Sequence, residues 1–226
     1  MPSTALVVVA TPGVYSDMAQ RLFESATTYF HPTGEVTHVL LEADSRPWPY
    51  PTLMRHRILL TNLPEAEYVF MCDADAVFEG PVGPEILPLR NLGITATQHP
   101  GYVGKHPEEL PYERRPDHAA CLRPEEGSQY FCGGFFGGTW EGMRGHLLQT
   151  STLIETDLAE GRVSVWHDES AHNHILAHTE PSLVLGPDYA HPDRDEYYVA
   201  EVWGRQIPRR LVMLDQPAEM RVGRAA

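Results

Sequence analysis

The sequence predicts an α/β domain of the doubly wound kind, and three observations carry that prediction. Two short runs, Ala5-Leu6-Val7-Val8-Val9-Ala10 and Tyr68-Val69-Phe70-Met71-Cys72, are apolar at nearly every position, which marks strands covered on both faces. The first run passes through Thr11-Pro12-Gly13 into a segment with Met18, Leu22, Phe23 and Ala26 on one helical face, the strand–turn–helix unit that opens such sheets. The 226 residues, 42% of them hydrophobic, suffice for one such domain with a substantial core, or at most two small ones.

Taken in order, Ser16-Asp17 is the expected cap of the first helix. Ligands of doubly wound folds bind at the carboxyl ends of the strands, so residues 11–15 are either a candidate contact or an ordinary turn. Val36 to Leu41 supplies a second strand. Pro47-Trp48-Pro49-Tyr50-Pro51 is a rigid connector, and Thr52 opens a helix through Met54, Ile58 and Leu59. That helix carries Arg55 and Arg57, facing solvent or a phosphate. Val82 to Leu87 reads as a turn into a short helix, and Ile94 to Gln98 as a strand ending at His99. Residues 104–127 are dense in Pro, Glu and Arg, and a loop of that length is functional or disordered. Residues 129–138 form an aromatic strand whose paired glycines make sense where something approaches the backbone closely. Trp140 to Glu160 is a long amphipathic helix with Met143, Leu147, Leu148, Leu153, Ile154 and Leu158 as core residues. Leu183 to Leu185 is a late strand, and the polar tail from Tyr189 is expected to fold over something rather than to build core.

Charge and cysteine content exclude several function classes. The net charge is −14, and the basic residues are 16 arginines and Lys105. Without a basic cluster, such a chain is a poor partner for nucleic acid or an anionic membrane. An anionic small ligand would need a metal or individually placed arginines. Cys72, Cys121 and Cys132 are odd in number and show no CxxC spacing, which reads as free thiols in a reducing compartment. The apolar run within residues 1–10 lacks a basic leader and is too short to span a bilayer. The expectation is a soluble cytoplasmic protein without a membrane anchor.

Chemistry concentrates in two places. Asp73 and Asp75 follow the second buried run at i, i+2, which in an extended chain puts them on one face. Two like charges there are costly unless a cation or proton sits between them. The expected occupant is a divalent metal on hard oxygen ligands, itself holding a diphosphate; the plain alternative is a solvated acidic turn. Trp166-His167-Asp168-Glu169-Ser170 sets an aromatic and two acids at the head of a helix. That is a sugar-binding and acid/base cluster, or a surface helix start where the dipole favours acids. His174 and His178 have the i, i+4 spacing of some zinc helices, but neither a zincin glutamate nor a CxxC accompanies them.

Four blocks occur in a set order: Cys72-Asp73-Ala74-Asp75 with Phe78 and Val82 to Leu87; His99-Pro100-Gly101-Tyr102 leading to Tyr112-Glu113-Arg114-Arg115-Pro116; Phe131 to Gly138; and Trp166 to Ser170 with Asn173. Together they resemble glycosyltransferase family 6, which contains the histo-blood-group A and B transferases and the α-1,3-galactosyltransferases. The similarity runs from about Val7 to Tyr189. It matches the catalytic domain without the anchor and stem of the animal enzymes, which suits a bacterial or phage-type member.

The resemblance implies a GT-A fold: a single Rossmann-like nucleotide-sugar-binding domain with a mixed central sheet. Residues 1–98 are then the nucleotide-binding half, 99–190 the acceptor and donor-sugar half, and 191–226 the C-terminal tail. It implies transfer of N-acetylgalactosamine or galactose from UDP with retention of the α configuration. Asp73 and Asp75 match the DxD motif that binds Mn²⁺, or another divalent cation, through the donor diphosphate. Bacterial members often carry asparagines there, whereas this chain keeps the acids. Ala10, Tyr15, Arg55, Asp73, Ala74, Asp75, Gly133, Gly134, Asp168 and Arg221 become the donor-binding positions, with Arg221 in the tail that closes over UDP. Gly134 leaves room for an N-acetyl group and so points to UDP-N-acetylgalactosamine. His99, Cys132, Trp166 and Glu169 become the acceptor-binding positions, for an acceptor of the fucosyl-α-1,2-galactose type. Asp168 grips the donor hexose hydroxyls. Glu169 is the catalytic carboxylate below the anomeric carbon, either a covalent nucleophile or the stabiliser of an oxocarbenium ion.

Two other readings compete. Asp73-x-Asp75 after an apolar strand also fits the nucleophile motif of haloacid-dehalogenase-type phosphatases. Those enzymes carry the motif near the start of their domain and need a later catalytic lysine, whereas here a βα unit precedes it and Lys105 sits in a Pro/Glu-rich loop. A non-catalytic module that holds a nucleotide or glycan is the second rival, and the joint presence of Asp73, Asp75, Asp168 and Glu169 argues against it.

Overall fold

The two apolar runs lie side by side at the middle of the sheet. In the computed structural model, which describes residues 2–89, 93–194 and 207–215, β1 (Ser3–Ala10) and β3 (Tyr68–Cys72) pair in parallel. β2 (Glu35–Glu42) pairs in parallel along the outer side of β1. β6 (Phe131–Thr139) inserts antiparallel between β3 and β5 (Ile94–Gln98), and β7 (Leu183–Leu185) lies parallel to β5. The order β2-β1-β3-β6-β5-β7 is therefore a mixed sheet, and the fold class is the α/β one that the sequence predicts.

Successive strand residues face opposite sides, and both sides are covered. Leu6, Val8, Phe70 and Cys72 pack with Ala19, Leu22 and Phe23 of α1 (Val14–Tyr29). Ala5, Val7, Val69 and Met71 pack with Leu59 of α2 (Tyr50–Thr61) and with Met143 and Leu147 of α3 (Trp140–Ala159). Each fully buried Val, Leu or Phe contributes about 1.5–3 kcal/mol. A carboxylate anywhere within these strands would forfeit that and be desolvated as well, so the acids come only where β3 leaves the sheet. The glycines of β6 serve close approach: a Cβ on Gly137 would lie 2.2 Å from the Phe70 ring, which stacks on Phe135 at 5.7 Å.

Several boundaries differ from the sequence reading. α1 starts at Val14 with Gly13 as its N-cap at φ 89°, and Ser16 is already helical, its hydroxyl donating to the Gly13 carbonyl at 2.8 Å. Tyr50 and Pro51 of the expected connector belong to α2, because proline needs no N–H partner in a first turn. In α3, Leu148 is 44% exposed, while His146, Thr150, Ser151 and Asp157 are buried. Apolar periodicity is silent about that polar, buried face. The described part of the tail does build core. β9 (Leu211–Met213) pairs antiparallel with β4 (Ala76–Phe78) and parallel with β8 (His191–Pro192), and Leu211 and Val212 are fully buried. The loop of residues 104–127 carries the 3-10 turn Pro107–Glu109 and buries Leu110, Tyr112 and Leu122 against Tyr130. All three cysteines are free. Among the described residues, no helix is long and apolar enough to cross a membrane.

Candidate active site

The carboxyl end of β3 meets the amino end of antiparallel β6, and this junction gathers the acidic residues. Asp73-Ala74-Asp75 is not an extended segment as expected from the i, i+2 argument; it forms the turn between β3 and β4. The turn is held by two main-chain bonds: Asp73 N–H donates to the Gly134 carbonyl at 2.8 Å, and Leu214 N–H donates to the Asp75 carbonyl at 2.7 Å. α4 (His167–Thr179) brings Asp168 and Glu169 in its first turn, where the helix dipole favours negative charge. Its first residue, His167, has φ 55°, a left-handed conformation that costs a non-glycine residue about 1 kcal/mol. Asn173 ties the helix to β6, accepting from Phe131 N–H at 2.8 Å and donating to the Phe131 carbonyl at 2.9 Å.

Arg55, from α2, is the hub. Its Nε donates to Oδ2 of Asp168 at 2.5 Å, its Nη1 to Oδ1 of Asp73, and its Nη2 to the Gly133 carbonyl at 3.1 Å. The Arg55 guanidinium thus joins Asp73 to Asp168, one cation shared by two carboxylates. The Asp168 side chain is 2% exposed and that of Asp73 34%. Burial works against the charge of Arg55, but Asp168 and Asp73 outweigh it and hold the guanidinium more firmly protonated. Burial pushes the Asp168 carboxyl upward, and Arg55 opposes that push.

The Gly133 peptide serves both sides of the site, because its N–H donates to Oε2 of Glu169 at 2.8 Å while its carbonyl takes Arg55. A Cβ there would lie 2.8 Å from Nη2 of Arg55 and 3.4 Å from Oε2 of Glu169, so only glycine lets the two side chains converge on one peptide. Burial raises the Glu169 carboxyl to about 7, against the pull of the Gly133 N–H.

These groups line a cleft of about 930 Å³ whose walls include Trp48, Cys132, Gly134, Trp166, Asp168 and Glu169. Trp166 stands at 47% exposure, available for stacking, and Trp48 meets the His167 ring edge-on at 4.5 Å. Burial pushes the Cys132 thiol well up, which keeps it neutral. Glu113 secures the wall from behind, accepting from Val165 N–H at 2.8 Å and from Arg115 Nε at 2.8 Å, while Nη2 of Arg115 donates to the Val163 carbonyl at 3.0 Å.

Of the residues singled out from sequence, Arg55, Asp73, Gly133, Gly134, Cys132, Trp166, Asp168 and Glu169 come together here. Ala10, at the end of β1, and Ala74 are each 6% exposed within the core beneath, and Tyr15 packs on that core from α1. His99 is not among the residues lining this cleft. Its Nδ1 accepts from Gly101 N–H at 3.1 Å, its ring tilts against Tyr102 at 4.8 Å, and burial lowers its imidazole to about 4. Arg221 lies outside the described residues. Glu113, Asn173 and the Gly133 carbonyl were not assigned a role from sequence. The first two do stand in the ordered blocks, which was the only signal available; a carbonyl leaves none.

Among the described residues, no group of three or more His, Cys, Asp or Glu side chains is arranged to hold a metal. Asp73 and Asp75 nonetheless offer two hard carboxylates on one short turn. That donor set fits a cation of the Mg²⁺ or Mn²⁺ type, which takes one or two carboxylates and completes its shell with water and substrate phosphate. An all-protein cage does not fit these residues.

The chain is similar to several known glycosyltransferases. Rat histo-blood group ABO system transferase 1 is 39% identical over 127 residues, covering 55% of this chain and 35% of the rat protein. Human globoside alpha-1,3-N-acetylgalactosaminyltransferase 1 is 30% identical over 221 residues, covering 83% of this chain and 61% of its own length. Human alpha-1,3-galactosyltransferase 2 is 32% identical over 152 residues, covering 65% and 44% respectively. In each case the match spans less than two thirds of the relative's length. The profile described as glycosyltransferase family 6 matches residues 52–203, which takes in most of α2 and all of the acidic turn, β6 and α4. The chain belongs to glycosyltransferase family 6.

Proposed function

We propose that the chain is a retaining α-1,3-N-acetylgalactosaminyltransferase that moves N-acetylgalactosamine from UDP to a galactose of a fucosyl-α-1,2-galactose type acceptor. The observation that carries this reading is the convergence of Asp168, Glu169, Asp73 and Arg55 on the Gly133 peptide in one cleft rimmed by Trp166. A donor hexose needs hydroxyl acceptors, and Asp168, fixed by Arg55, supplies them. Glu169 is the carboxylate under the anomeric carbon, as nucleophile or as partner of an oxocarbenium ion, and its low-dielectric setting strengthens either role. Trp166 packs on the acceptor sugar. Asp73 and Asp75 hold Mn²⁺, which when bound offsets the negative charge of the leaving diphosphate. Gly134, without a side chain beside Asp73 and Cys132, supports N-acetylgalactosamine as the donor sugar, and the name of the human globoside relative points the same way. Transfer of galactose from UDP-galactose is the second reading, favoured by the alpha-1,3-galactosyltransferase relative. A cytoplasmic site of action belongs to the same proposal.

The test is UDP release from each of the two donors with 2′-fucosyllactose, in Mn²⁺ or in EDTA. Release with UDP-N-acetylgalactosamine alone, dependent on metal and acceptor, is the expected result. Equal activity in EDTA, or in the double variant Asp73→Asn/Asp75→Asn, would remove the metal from the proposal. Preference for UDP-galactose would move the assignment to the second reading.

A further inference from the structure

Beneath the cleft, three imidazoles meet between the helices. His56 of α2, His146 of α3 and His172 of α4 are all buried against the Phe136 ring, at centroid distances of 5.6, 5.5 and 4.5 Å. His146 and His172 share a hydrogen bond, Nε2 to Nδ1 at 2.9 Å. His56 is the odd member: it is 0% exposed, and among the described residues neither of its ring nitrogens has a hydrogen-bond partner. Its Nε2 stands 3.7 Å from Oδ2 of Asp168, the oxygen that also accepts from Nε of Arg55.

A carboxylate oxygen can accept two hydrogen bonds, and Arg55 fills one. Burying an imidazole with no partner is costly, and an apolar side chain of the same length would pack there without that cost. The orphaned ring is accounted for if its partner is Asp168. We propose that His56 is a positioning residue, whose Nε2–H closes onto Asp168 in the working site and fixes the plane of that carboxylate toward the donor sugar. The proposal rests on the reading of Asp168 as the group that grips the donor. Burial, together with the neighbouring Arg55 charge, holds the His56 ring well below the usual histidine range, and burial does the same to His146 and His172. All three rings are therefore neutral at physiological pH. A neutral donor orients Asp168 without discharging it, so the carboxylate keeps its ion pair with Arg55 while losing its freedom to rotate. Phe136 and the hydrogen-bonded His146–His172 pair stop the His56 ring from turning away.

His56→Gln and His56→Met separate this role from packing, since the two side chains match in length and only the first carries an N–H donor. Both are expected to melt close to the parent and to bind UDP as the parent does. Met should lower kcat by about tenfold or more and raise the KM for the donor sugar nucleotide, the loss typical of removing the outer partner of a working side chain. Gln should recover most of that loss. Equal kcat and KM in the Gln and Met variants would overturn the proposal. A second readout needs no fully active variant. The ring ¹⁵N signals of His56 in the intact protein, assigned by their loss in His56→Gln, should show the Nε2–H tautomer and should shift in Asp168→Asn. A His56 signal that ignores Asp168→Asn would overturn the proposal. Full transfer activity in Asp168→Asn would instead overturn the role given to Asp168, which the nitrogen spectra read separately.

Discussion

Replacing Arg55 with methionine keeps most of the side-chain stem and removes the guanidinium. Three contacts go with it: to Oδ2 of Asp168, to Oδ1 of Asp73 and to the Gly133 carbonyl. They are not equal. Asp73 is 34% exposed and rehydrates, so its share is that of an exposed pair, below about 1 kcal/mol. Asp168, at 2% exposure, is left charged where water cannot reach it. Breaking a buried pair from one side costs about 3–5 kcal/mol. In a chain of this size each kcal/mol moves the midpoint by about 2–4 °C, so the variant should melt about 6–20 °C below the parent at neutral pH. Burial already pushes the Asp168 carboxyl up, and without Arg55 nothing of similar size opposes it. A folded-state pKa raised above the unfolded value means the penalty is full above the folded pKa and vanishes as pH falls below the unfolded one. The deficit of the variant should therefore shrink as pH drops from neutral toward about 4. Adding Asp168→Asn to Arg55→Met removes the orphan charge, and the double variant should melt above Arg55→Met alone. Thermal melts of the four proteins at two pH values decide the matter. A parent-like midpoint for Arg55→Met at neutral pH, or strictly additive losses in the double variant, would refute the hub argument.

Glu169, raised to about 7, must lose its proton to act, so kcat/KM should rise with pH along a limb centred near that value. Glu169→Gln should abolish that limb and cut turnover by orders of magnitude with UDP affinity kept. Because the folded pKa lies above the unfolded one, ionising Glu169 costs stability above pH 7, and the Gln variant should melt no lower than the parent at pH 8. A Cβ on Gly134 would lie 3.1 Å from Oδ2 of Asp73 and 3.2 Å from both Sγ of Cys132 and Cε of Met213. Gly134→Ala should therefore shift the donor ratio toward UDP-galactose by about tenfold, the scale of one methyl in a tight pocket, and an unchanged ratio would end the argument from space. Burial pushes the Glu113 carboxyl up, but Arg115 and the N–H groups of Arg115 and Val165 outweigh it and hold it at about 2. That stability is present above the unfolded pKa and lost as pH falls through about 2. Glu113→Gln should cost about 2–3 kcal/mol near pH 7, with the difference from the parent closing toward that value in acid denaturation.

What could be read in the sequence was what depends on near neighbours. Ala5 to Ala10 and Tyr68 to Cys72 are apolar at consecutive positions because both faces of each strand are covered, and that signal survives without any partner being known. α3 shows the limit: its buried face includes His146, Thr150, Ser151 and Asp157, and of these His146, Thr150 and Asp157 find partners in turns of the same helix or far along the chain. Asp157, for instance, accepts from Ala119 N–H at 2.8 Å. A period count of apolar residues gave Leu148 the place that His146 holds. The tail misled for a similar reason, since the short run Leu211 to Leu214 within a polar stretch is too little to announce a strand until β4 is there to pair with it.

The site divides along the same line. The acids were legible because carboxylates at a strand end or helix head are conspicuous by charge alone. Their pairing was not, since Arg55 lies 113 positions from Asp168 and 78 from Gly133. The i, i+2 argument sets Asp73 and Asp75 on one face of an extended strand, whereas the segment is a turn. Once Asp73-Ala74-Asp75 bends, Asp73 turns toward α2, where an arginine already stands. The element that makes this work carries no charge and no side chain. The Gly133 peptide offers its N–H to Glu169 and its carbonyl to Arg55, so opposite poles of a single amide set the distance between the anionic and cationic arms of the site. Any side chain at that position drives into the guanidinium at 2.8 Å, which is why the strand accepts a glycine that weakens it.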